Sequence, residues 1–171
     1  MKISTDATLK GPVWAEMLDR LVNNIFKTNW DVYSLCISIG MMYDQQIESD
    51  ELVPSDYTEN PRYIPRLVLS EHKRKSLLEF MLQAALITTK HVDLSEEQRL
   101  EYAFSEEAEV PFNSLNFLTK YANYGITKLQ EVLGDAEDVE LMEKIMTFLN
   151  DTYENGYDPT EGLELELDDF D

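Results

Sequence analysis

Apolar residues return at helical spacing along almost the whole chain. Val13, Met17, Leu18, Leu21, Val22, Ile25 and Phe26 trace one amphipathic helix, because residues three and four apart share a face. Tyr33, Cys36, Ile37, Gly40 and Met41 trace a second within "NWDVYSLCISIGMMYDQQ", with Asn29 as its N-cap. A third, "EHKRKSLLEFMLQAALITT", takes Ser70 as its cap and is apolar on almost every side from Leu77 to Ile87. Such a helix belongs at the centre of a bundle. Ser95, with Gln98 three residues on, predicts a capping box and a short helix through about Tyr102. Asn113 caps the helix that holds "FLTKYANYGITKLQEVLG", and Asp135 opens a last one carrying Val139, Met142, Ile145, Met146 and Leu149. Between the second and third helices Pro54, Pro61 and Pro65 forbid a continuous helix and predict a long loop, with "YIPRLVL" as a short extended segment.

Beyond Asn150 the helical register fails. Residues 151–171 hold nine acidic residues and no basic one, with Gly156, Pro159 and Gly162 among them. They read as a flexible acidic tail. Its run "GLELELDDFD" sets Leu163, Leu165 and Leu167 alternately with acids and closes on Phe170. That alternation suits a segment that docks on a partner's sheet edge or in a basic groove. A purely solubilising tail is the plain alternative. The expected fold is thus all-α: a compact bundle of about five or six helices over 1–150, a proline-broken loop, and a disordered acidic tail.

Charge narrows the function classes. The 171 residues carry 34 acids against 14 bases, a formal −20, and 25 of those acids lie outside the tail. So acidic a chain is a poor general binder of nucleic acid or anionic membrane. No apolar run reaches the ~20 residues of a membrane span. The N-terminus lacks a signal-peptide core, and the single cysteine, Cys36, fits a reducing cytoplasm. Against this background Arg62, Arg66, Lys73, Arg74 and Lys75 put five of the fourteen basic residues within fourteen positions. They form a positive island, either a solvated helix start or a contact for an acidic partner or a phosphate.

Gly125 lies on the apolar stripe of its helix, beside Ala122, where glycine costs roughly 1 kcal/mol relative to alanine. Gly40 holds the same kind of place beside Cys36. Small residues at such positions let another helix approach closely; the rival reading is a shallow groove for a partner's backbone. The block Tyr121, Ala122, Asn123, Tyr124, Gly125 resembles the "EYANGGLEIL" stretch of the Dnd system-associated protein 4 family, encoded in bacterial DNA-phosphorothioation defence loci. "IFKTNWDVYSLCISIGMMYDQQ", "LLEFMLQAALITT" and "LSEEQRLEYAF" follow the family's order of elements over roughly 25–133. Tyr124 stands where the family has a second glycine, and the tail lies outside the resemblance. The resemblance implies an accessory component of an anti-phage defence locus, and it brings no catalytic residues.

Chemical motifs are sparse. HExxH, CxxC, Walker and GxGxxG patterns are absent, and His72 and His91 form no ligand constellation. Cys36, on an apolar stripe, reads as a buried thiol. Asp56, Glu71 and Lys73 fall in the D…ExK order of metal-dependent nucleases, but Glu71 sits in a predicted first helical turn, where an acid is favoured anyway. The expectation is a non-enzymatic adaptor that needs no cofactor or metal and binds another protein, a component of a defence system. Its candidate contacts are the cationic island, Tyr121, Asn123, Tyr124 and Gly125, and the tail's leucines and Phe170. The alternatives are an acidic DNA mimic that inhibits a DNA-binding protein or nuclease, and a nuclease built on Asp56, Glu71 and Lys73.

Overall fold

The computed structural model describes residues 1–105 and 108–155. In chain order the elements are β1 (Ala7–Leu9), α1 (Pro12–Leu21), α2 (Asn29–Met42), β2 (Arg62–Ile64), α3 (Arg66–Leu69), α4 (His72–Thr88), α5 (Glu96–Phe104), α6 (Ser114–Leu133) and α7 (Leu141–Asn155). The protein is mostly helical, as expected. To the helices the chain adds one short two-stranded antiparallel sheet, which pairs Ala7 with Ile64, Thr8 with Tyr63 and Leu9 with Arg62. "YIPRLVL" divides at Pro65: its start is strand, and Arg66–Leu69 is a four-residue helix, α3.

Local chemistry sets most helix ends. Asn113 accepts from the Asn116 amide at the start of α6, and Ser95 and Gln98 close the predicted box on α5. The cap of α2 is Thr28, whose partner in the box is Asp31, so Asn29 is the first helical residue. Ser70 closes α3 instead of opening α4, which starts after Glu71. α1 stops at Leu21, because the chain turns through Asn23 with φ 74° and bonds the Asn23 amide to the Phe26 carbonyl. Asparagine tolerates that left-handed conformation better than most residues.

The axis of the core is the α2–α6 pair, the most extensive helix contact among the described residues. Trp30, Val32, Tyr33, Cys36, Ile37, Ile39 and Gly40 of α2 are buried, and so is most of the length of α6. α1 covers this pair through Trp14, Met17, Leu18 and Leu21. The expectation of a central α4 is corrected. Leu78, Met81, Leu82, Ala85 and Leu86 face inward, while Leu77, Phe80 and Ile87 are exposed. The last helix also moves: α7 begins at Leu141 and runs past Asn150 to Asn155, with Leu141 and Ile145 in the core. The tail boundary at 150 therefore cuts through α7.

Candidate functional site

Gly40 and Gly125 face each other's helices. A Cβ on Gly125 would stand 2.6 Å from the Cys36 carbonyl carbon, and one on Gly40 would stand 2.7 Å from that of Tyr121. The gap is filled by backbone from within the chain, a tight crossing that leaves no groove for a partner there. Neighbouring residues of the same block hold the crossing's surroundings. Asn123 is buried; its Oδ1 accepts from Trp14 Nε1 at 2.9 Å, and its Nδ2 donates to the Ile47 carbonyl and Ser49 Oγ. The Tyr121 hydroxyl lies 2.9 Å from Asp44 Oδ1 and 2.6 Å from Thr89 Oγ1. One phenolic proton cannot serve both, so it goes to the acceptor-only carboxylate and Thr89 returns its own. Burial pushes the Tyr121 hydroxyl well above the usual tyrosine range.

Tyr121, Asn123 and Gly125, expected as partner contacts, are therefore interior residues. They join α6 to α1, to α2 and to the 44–49 and 89–91 loops. Tyr124 alone of that block reaches the surface, where it is half-buried against Tyr43 with ring centroids 5.8 Å apart. His91 belongs to the same junction: its Nε2 lies 2.7 Å from the Asp44 carbonyl, and its ring meets Tyr121 edge-on.

The cationic island is only partly available. Arg62 bonds both carboxylate oxygens of Asp19, at 2.9 and 3.0 Å. Arg74 pairs with Glu71 at 2.6 Å and lies over the Trp30 ring. Lys75 reaches Glu79 at 3.6 Å. Arg66 and Lys73 form no ion pair among the described residues, and both are exposed. These two carry the charge that a partner could meet.

Of the D…ExK residues, Glu71 and Lys73 stand at the start of α4, a helix and not a strand. Glu71 holds the N-cap position of α4 and pairs with Arg74. Among the described residues no three His, Cys, Asp or Glu side chains gather closely enough to hold a metal ion. Cys36 is fully buried, and burial raises its thiol far above the ordinary range, which suppresses the thiolate needed for nucleophilic chemistry.

What the spacing did not single out is the outer face of α4. Lys73, Leu77, Phe80, Ala84 and Ile87 recur at four, three, four and three residues. They make a second apolar stripe, headed by a cation, about two-fifths of a turn from the core stripe. Phe80 is 65% exposed. The sequence signal for it is the near-continuous apolar run of α4, which by itself predicts central burial. The docking role of Leu163, Leu165, Leu167 and Phe170 lies outside the described residues, and no described helix is long and apolar enough to cross a membrane. No family model, curated protein or solved structure matches the chain.

Proposed function

We propose that the chain is a non-enzymatic accessory or adaptor subunit that binds another protein, within a bacterial anti-phage defence system as the resemblance of its 121–125 block implies. The observation that supports this reading is the outer face of α4, where Leu77, Phe80 and Ile87 leave apolar surface open beside Lys73. Contiguous exposed apolar surface rimmed by polar residues marks protein interaction sites. Arg66 and Lys73 add a local positive charge on an acidic molecule, which favours an acidic partner and fixes its orientation.

A photocrosslinker at Phe80, in the protein expressed in its native host, tests the idea. One protein should be captured at Phe80 and not at Glu97, an exposed control on α5. Leu77→Glu should abolish the capture, and Arg66→Glu with Lys73→Glu should weaken it in a salt-dependent way. Equal capture from Phe80 and Glu97, or capture that survives Leu77→Glu, overturns the reading.

A further inference from the structure

α7 carries a second apolar stripe that the body leaves uncovered. Leu141 and Ile145 turn into the core, while Met142 and Met146 are each 50% exposed and Tyr153 is 82% exposed. Val139, in the turn before the helix, is 85% exposed. The spacing of 142, 146 and 153 places these three on one line along the helix, with Val139 in the turn that leads into it. Half-exposed methionines make an adaptable apolar surface, suited to receiving another helix.

The charge beside the stripe is of one sign. Glu143 and Glu154 lie along one side of it and are exposed, and Glu137, Asp138 and Glu140 precede or open its N-terminal end. Lys144 is the one base of α7. Beyond Glu143, a groove of about 520 Å³ between α6 and α7 is lined by Val132 and Phe148, by Glu140, Glu143 and Asp151, and by Lys144. A lysine or arginine stem could lie along Val132 and Phe148 with its charged end against the acids.

We propose that α7 docks a cationic amphipathic helix of a partner protein along Met142, Met146 and Tyr153. Apolar anchors on that helix cover the methionines, and its flanking bases meet Glu143 and Glu154. Other occupants fit the charges poorly. A second copy would set two acid-rimmed stripes face to face, with like charges opposed. An anionic membrane surface is repelled for the same reason. The chain's own residues 156–171 carry seven acids and no base. This inference does not rest on the α4 reading, since α7 packs on α6 and uses a different face of the molecule.

The test titrates the full chain into a fluorescein-labelled synthetic helix of leucine and lysine, followed by anisotropy at about 0.15 M salt, where distant surface charges are screened. Saturable binding is expected, and a leucine–glutamate helix should not bind. Met142→Asp with Met146→Asp should weaken binding about tenfold or more, as loss of central anchors does. Glu143→Lys with Glu154→Lys should weaken it and flatten its salt dependence. Tyr153→Ala, at a site too exposed to threaten folding, should also weaken it. Binding unchanged by the methionine pair and by Tyr153→Ala reduces the effect to general attraction and overturns the proposal. So does an absence of binding by the wild-type chain. Binding that appears only after removal of 156–171 makes that segment the occupant instead. A dimer split by Met146→Asp assigns the stripe to a second copy.

Discussion

At Gly125 the space of a side chain is taken by the Cys36 carbonyl, and at Gly40 by that of Tyr121. Alanine at either site has the better helix propensity by roughly 1 kcal/mol. It would nevertheless force two backbones apart, and overpacking of this kind costs about 1–3 kcal/mol. Gly125→Ala and Gly40→Ala are therefore expected to lower the urea midpoint, and Gly125→Leu to lower it further. A raised midpoint in either alanine variant would mean that the crossing yields easily. The two glycines were legible in the sequence, because an apolar stripe exposes the gap a small residue leaves. The roles of Tyr121 and Asn123 were not. Their partners Thr89, Asp44 and Trp14 lie 32, 77 and 109 residues away, and no local spacing announces a bond across that separation.

Among elements, the junction of α4 with α5 depends on one side chain. Arg99 Nη1 donates to the Leu86 and Thr89 carbonyls, Nη2 to that of Val92 and Nε to that of Leu94. A guanidinium holds its donors in a planar fork, so a single residue supplies the end of α4 and the turn into α5. A cation at a helix C-terminus is also favoured by the helix dipole. Arg99→Met keeps much of the apolar stem and removes every donor. It should cost about 1–3 kcal/mol, the penalty for stranding partly buried acceptors. Amide exchange should then quicken selectively in 86–104; uniform quickening, or none, would show that the fork adds little. The caps of α5 and α6 were readable because a capping residue and its partner lie three positions apart. The place of α4 was not, since an apolar run does not say which of its sides the remainder of the chain will cover.

For the whole molecule, the last turn of α7 decides how the chain can be shortened. Thr152 is half-buried, bonds the Phe148 carbonyl at 2.8 Å and lies 3.4 Å from the Tyr43 hydroxyl. A chain ending at Asn155 should keep the melting temperature of the full protein. One ending at Asn150 loses the last turn of α7 and should melt a few degrees lower, at roughly 4 °C or less per kcal/mol for a protein of this length. If the chain ending at Asn155 also melts early, residues beyond it contribute to the body. The sequence placed this boundary too soon because polar Asn150, Asp151 and Glu154 interrupt the apolar pattern that marks a helix.

Cys36, the only thiol of the chain, lies enclosed in the seam between α2 and α6. That position makes it a clock for the separation of the two helices. An alkylating reagent meets a thiol that is both covered and held protonated, so native molecules should react only during excursions that part the seam. In excess reagent the labelling rate measures how often, and for how long, such excursions occur. Gly125→Ala, which strains the seam without touching the sulfur, should speed the reaction in native buffer, and mild urea should speed both proteins. Labelling of the unaltered protein as fast as a free cysteine would mean that the seam stands open much of the time. Slow labelling, quickened by the glycine variant, would give the lifetime of the closed crossing from the chain's own chemistry.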